Sequence, residues 1–266
     1  MLLFNLCCFD NNHVSEFGAH SFVLSILGFG PGAAHYINLC AFAALESCDV
    51  VLVETLVNRS LLKLLSLDCK LKYVGRPVHG ACNSLYGILL SVLWASGNWI
   101  ASGWIKNGDA LLFNRGWSAN VFLNALSASY LVVSGSTSAL VALSSIRVSA
   151  TGKFVSGVII SLSLCHYNKR ALATHTTVVF MTRLSALFLF DLLVCDGLTS
   201  NKIVALVCGL SLLAQAVVYA SLRRFLFCSE ALTSNSPSLL IVGNCVCYHI
   251  NTNWLRLTKG VGIVFD

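Results

Sequence analysis

Charge is what this 266-residue sequence has least of: Asp, Glu, Lys and Arg make up 11% of it, against 56% hydrophobic residues. A mean hydropathy of +0.78 is high for a water-exposed fold and raises a polytopic membrane protein as one alternative. Three uncharged stretches are long enough to consider: Leu85 to Ile105, Gly116 to Ile146 and Ile203 to Leu222. All three are interrupted. Ser96-Gly97-Asn98 and Ser102-Gly103 break the first, Ser134-Gly135-Ser136 the second, and Gly209, Ser211 and Gln215 the third. Each reads as short apolar elements joined by a turn, as a buried α/β core produces, so no membrane partner is expected.

Other absences narrow the classes further. The 12 cysteines contain no Cys-x-x-Cys pair, and Cys7-Cys8 and Cys245-x-Cys247 are too tight for a zinc knuckle or an ordinary disulfide. Most lie in apolar runs as small core residues, which fits a reducing, cytoplasmic setting. The seven histidines show no His-Glu-x-x-His spacing, so no metal is expected. No basic run is interleaved with aromatics, so nucleic acid is not an expected partner. The 17 Lys and Arg still exceed the 11 Asp and Glu, a net charge of +6 that serves solubility or an acidic ligand. There is no internal repeat. The apolar patch Leu2 to Phe9 has no basic residue before it, unlike a signal peptide, and residues 1 to 20 are expected to form a loose extension.

What the chain does have is glycine at strand ends. Gly28-Phe29-Gly30-Pro31-Gly32 follows the apolar run Phe22 to Leu27 and precedes a helical stretch, Tyr36 to Ser47. Glycines there let the backbone bend and approach a ligand closely, whereas Pro31, without an N–H, suits a phosphate cradle poorly. On its own the turn reads as a tight strand–helix connection rather than as a site. Downstream, strands are expected at 49–54, 70–74, 99–104 and 130–133, with helices at 60–67, 84–95 and 117–126 between them. This alternation predicts a mostly parallel sheet covered by helices. After it come strands 154–164, 176–181, 203–207, 216–219 and 239–242, a polar loop 166–175, and helices 184–195 and 222–232. Consecutive strands there suggest a mixed sheet. The fold expected is therefore α/β with two lobes, residues 21–134 and 135–266.

Three further motifs follow the first turn in order. They are Gly108-Asp109-Ala110-Leu111-Leu112-Phe113-Asn114-Arg115-Gly116, Val132-Val133-Ser134-Gly135-Ser136-Thr137-Ser138-Ala139, and Ser236-Pro237-Ser238-Leu239-Leu240-Ile241-Val242-Gly243. With Tyr73-Val74-Gly75-Arg76 between the first two and Asn253-Trp254 after the last, they resemble the tetrapyrrole (precorrin) C-methyltransferase family over about residues 22 to 255. Phe-x-Arg-Gly and Asn-Trp favour the branch that acts on uroporphyrinogen III.

The resemblance implies a two-lobed homodimeric enzyme that binds S-adenosylmethionine between its lobes, with no metal. It carries the cofactor contacts onto Pro31, Asn107, Gly108, Asp109, Leu112, Thr137, Ser138, Met181 and Gly209. Chemically, Asp109 can accept from a ribose hydroxyl or an amino group, Thr137 and Ser138 offer hydroxyls at a helix start, and Met181 a soft apolar surface. Each also has a plain structural role as turn former, cap or core. An octacarboxylate substrate calls for basic groups, and Arg115, Arg76, Lys106 and Lys153 are the candidates, Arg115 for substrate contact or catalysis. The reaction implied is double C-methylation of uroporphyrinogen III to precorrin-2. Several positions depart from the family: Trp117-Ser118-Ala119 stand where glycine and acids are usual, Ala110 replaces proline, and Gly209 is displaced by one. Another precorrin methyltransferase, or a decayed copy without turnover, are therefore kept as alternatives.

Overall fold

The computed structural model describes residues 24–74, 101–114, 116–125, 127–153, 155, 157–161, 175–180, 193–194, 201–213, 215–224 and 237–246. Five parallel strands form the first sheet: β1 (Leu24–Gly28), β2 (Val50–Glu54), β3 (Lys70–Val74), β4 (Ser102–Lys106) and β5 (Tyr130–Val133). Their order across the sheet is β3-β2-β4-β1-β5. β2 is a continuous apolar run from Val50 to Val53, and β1 is apolar apart from Ser25, because both faces of a parallel sheet are covered. Leu24, Ile26, Leu52 and Trp104 pack on one face, and Leu27, Val51, Val53 and Ile105 on the other.

Helices lie between the strands as expected, with changed bounds. The first begins as a 3-10 turn, Ala34–Tyr36, and becomes α1 only at Leu39–Glu46. Asn38 sets that start: its Oδ1 accepts from the Ala41 N–H at 2.6 Å, while its own backbone stays extended. The helix expected at 60–67 is a 3-10 segment, Arg59–Leu64, begun by Asn58 and ended by the extended backbone of Leu65. α2 spans Gly116–Ala125 and α3 spans Ser138–Ser145. The strand expected at 99–104 is displaced to Ser102–Lys106. Asp49 ties down its entry, with the Asp49 and Val50 N–H groups on the Ala101 carbonyl and the Ala101 N–H on the Asp49 carboxylate.

The second sheet is mixed, as expected. Its strands are β6 (Gly157–Ser161), β7 (His175–Phe180), β8 (Ile203–Cys208), β9 (Ala216–Ser221) and β10 (Ser238–Val242), in the order β6-β7-β10-β8-β9. Only β6 and β7 are parallel. α3 packs Ala139, Ala142 and Leu143 into the core of this sheet, beside Val207 and Ile241.

Two of the uncharged stretches are now explained. Residues 203–222 hold the antiparallel pair β8–β9, turned at Gly209, and residues 116–146 hold α2, β5 and α3. Among the described residues no helix is long and apolar enough to cross a membrane. The expected helix 84–95, loop 166–174, N-terminal extension and Asn253-Trp254 lie outside the described residues, as do most of helices 184–195 and 222–232.

Candidate active site

All five parallel strands end on the same edge of the first sheet. The chain leaves β1 for β2 on one side, and leaves β4 for β5 on the other. Connections that diverge from neighbouring strands open a crevice at their carboxyl ends. Three segments meet there, after β1, β4 and β5, and they touch through backbone. The Gly30 N–H donates to the Gly108 carbonyl at 3.1 Å and the Gly108 N–H to the Gly30 carbonyl at 2.7 Å. Both glycines have left-handed backbones, φ 69° and 71°. A methyl on Gly28 would fall 2.4 Å from the Gly135 nitrogen, so no other residue fits that approach.

The second sheet closes the crevice from above. Gly209 and Leu210 follow β8, Phe180 ends β7, and Pro237 to Leu239 enter β10. Together the two sheets enclose a cavity of about 230 Å³. Its wall contains Pro31, Asn107, Gly108, Asp109, Leu112, Thr137, Ser138 and Gly209, eight of the nine positions carried over as cofactor contacts. The ninth, Met181, lies outside the described residues. Hydrogen bonds tie the first turn to both neighbours of the cavity. Asn58 Nδ2 donates to the Gly32 carbonyl at 2.8 Å, and the Ala33 N–H donates to Ser211 Oγ of the second lobe at 3.1 Å.

Asp109 is engaged by the protein itself. Its Oδ1 accepts from the N–H groups of Leu111 and Leu112, both at 2.9 Å, and its Oδ2 from the Gly135 N–H at 3.0 Å. The carboxylate therefore shapes its own loop and locks it to the segment after β5. Thr137 stands at the N-cap of α3 but its side chain makes no capping hydrogen bond. Among the described residues of the cavity wall, Asp109 is the ionisable one.

Lys106 corrects the sequence reading. It was expected to face an acidic substrate. Instead it is fully buried, with Nζ 3.0 Å from Glu54 Oε1, 2.7 Å from the Asn114 carbonyl and 4.0 Å from the centre of the Trp104 ring. β2 lies beside β4, and this neighbour supplies the carboxylate that makes burial of the ammonium tolerable. Lys153 is exposed and does not line the cavity. Arg76 and Arg115 lie outside the described residues. Phe113, Asn114, Phe180 and Asn58 also form the wall and were not foreseen. Phe113 and Asn114 sit inside a recognised motif, which was the available signal; Asn58 and Phe180 have none, because their place depends on distant pairing. Cys208, next to Gly209, is a buried residue of β8 whose thiol pKa is raised by burial.

Two stacked α/β lobes with a cavity at the carboxyl ends of a parallel sheet define a class of fold. In TM-score terms it matches cobalt precorrin-4 methyltransferase at 0.74, with 16% identity over 84% of this chain and 95% of that one. It also matches uroporphyrin-III C-methyltransferase of Thermus thermophilus at 0.71, with 23% identity over 86% and 95%. At these identities the likeness concerns the fold. Residues 23–225 match the family profile of Tetrapyrrole (Corrin/Porphyrin) Methylases, and the chain belongs to that family.

Among curated relatives, siroheme synthase of Pseudoalteromonas atlantica is 27% identical over 239 residues, 86% of this chain and 51% of that protein. The chloroplastic S-adenosyl-L-methionine-dependent uroporphyrinogen III methyltransferase of Arabidopsis thaliana is 27% identical over 251 residues, 88% of this chain and 66% of that protein. The chain spans about half the length of the siroheme synthases it matches.

Proposed function

We propose that this protein methylates uroporphyrinogen III at two ring carbons, giving precorrin-2, with S-adenosylmethionine as donor. The observation that carries the reading is the convergence of Pro31, Gly108, Asp109, Thr137 and Gly209 on one cavity from segments far apart in sequence. The described relatives named for this chemistry support the same reading.

When bound, the donor supplies an already activated methyl group on a sulfonium. The chain has little chemistry to add. Gly108, with its left-handed backbone, bonds Gly30 through both its N–H and its carbonyl and so fixes the loop beneath the cavity. Asp109 and Gly135 hold that loop still. Leu112, Leu210 and Leu239 exclude water on the apolar sides. Orientation of donor and ring carbon, with water kept out, is what such a site contributes to rate. We assign the substrate's carboxylates to Arg115 and Arg76, by the resemblance.

Incubation of purified protein with uroporphyrinogen III and S-adenosylmethionine tests the reading. The expected result is a macrocycle heavier by two methyl groups. A macrocycle of unchanged mass, with S-adenosylhomocysteine still bound in a calorimeter, would replace it with the decayed, non-catalytic alternative.

A further inference from the structure

Phe113 has φ 58°, a left-handed backbone that bulky residues rarely adopt and that persists only where neighbours impose it. Its neighbours can be named. The next residue, Asn114, donates from Nδ2 to the Asn107 carbonyl at 2.5 Å and to the Asp109 carbonyl. The Asn114 carbonyl in turn accepts from the buried Lys106 ammonium, which Glu54 neutralises. A buried ion pair is a poor way to stabilise a core, since an apolar pair of similar volume does as well or better. Here the ammonium reaches a main-chain carbonyl of the loop that walls the cavity.

The loop so held turns the Phe113 ring across the cleft between lobes. There it meets Phe180 at the end of β7, with ring centroids 5.2 Å apart and planes at 61°. Both rings line the cavity, and Phe113 remains 38% exposed. A ring fixed edge-on to a second ring offers an apolar surface to a purine or a thioether.

We infer that Phe113 is a ligand-contacting specificity residue for the adenine-bearing donor, and that Lys106 and Glu54 are positioning residues that act on it through Asn114. The inference rests on the cofactor reading above. Phe113 shares the cavity wall with Gly108, Asp109 and Leu112, positions carried over as cofactor contacts, which is why the contact is assigned to the donor.

The test is a double-mutant cycle read by calorimetric titration of S-adenosylhomocysteine. Wild type, Phe113→Ala, Lys106→Met and the double variant are compared, with thermal melts to establish folding. Each single change is expected to weaken binding roughly tenfold, and the double variant to bind no more weakly than the weaker single one. Losses that multiply would overturn the positioning role, because a lysine needed only for folding has no reason to couple to Phe113. Unchanged affinity of Phe113→Ala beside a wild type that binds would overturn the inference and leave the cofactor reading standing. A wild type that does not bind would overturn both. Should Lys106→Met fail to fold, Glu54→Gln removes the neutralising charge at nearly constant shape and takes its place in the cycle.

Discussion

Replacing Gly135 by alanine adds one methyl group where three strand ends touch. It would sit 2.1 Å from the Gly108 carbonyl oxygen and 2.6 Å from the Gly28 carbonyl carbon. Ordinary contacts begin at 3.4 Å, so the Gly108 carbonyl would have to retreat by about 1.3 Å. All of these neighbours are backbone and none can rotate aside. Retreat breaks the Gly30 N–H bond to the Gly108 carbonyl and strains the Gly135 N–H bond to Asp109. Overpacking and one lost hydrogen bond together cost about 2–4 kcal/mol. For a chain of this size that lowers the melting temperature by roughly 5–15 °C. The same movement displaces Asn107, Gly108 and Asp109 by about an ångström, enough to weaken S-adenosylhomocysteine by roughly tenfold to a hundredfold. Differential scanning fluorimetry and calorimetric titration read the two effects. Gly152→Ala is the control, because a methyl there meets nothing within 4 Å. A Gly135→Ala protein that melts and binds like wild type would refute the account of how the three segments are held.

Asp109→Asn should lower stability by about 1–3 kcal/mol, since an amide cannot accept from all three N–H groups and turns a donor toward one side; chemical denaturation measures it, and an unchanged midpoint would contradict the loop-shaping role. Asn58→Ala removes both the bond to the Gly32 carbonyl and the cap on Ser60, and should cost about 1 kcal/mol in the same assay. Burial pushes the Cys48 thiol up to about 12, helped by Cys69 and Asp49, and pushes the Tyr219 phenol up to about 12. The unfolded thiol and phenol lose their protons near 9 and 10. Stability from these groups is thus full below about pH 9 and falls toward pH 12 by about 1.4 kcal/mol per unit for each. Urea melts from about pH 8 to about pH 11 would show the fall, and a flat profile would count against the burial of both groups. Under native conditions a thiol reagent should modify exposed Cys40 and spare buried Cys48, Cys208 and Cys245 until denaturant is added, as peptide mass mapping would reveal.

The sequence by itself determined that the strands exist and where the strand-end turns lie, though not the bounds of β4 and β6. Val50 to Val53, and Leu24 to Leu27 apart from Ser25, read as buried strands because a parallel sheet covered on both faces favours apolar runs. The turns at Gly28 to Gly32 and at Gly108-Asp109 were legible because left-handed or touching backbone leaves few choices of residue. Local caps were harder to place. Asn38 and Asn58 moved two helix starts, since a side chain that satisfies an early N–H decides where the helix begins.

What only the tertiary structure decided are the pairings between distant residues. Lys106 reads as a surface cation in any local window, because an unpaired ammonium is expelled from a core. Only the placement of β2 beside β4 brings Glu54 to it, 52 positions away, and turns a presumed substrate contact into a buried support. The same holds for Phe180 against Phe113 and for Ser211 against Ala33. Strand and turn preferences are set by neighbours in the chain, whereas the lining of a cavity between two sheets is set by neighbours in space.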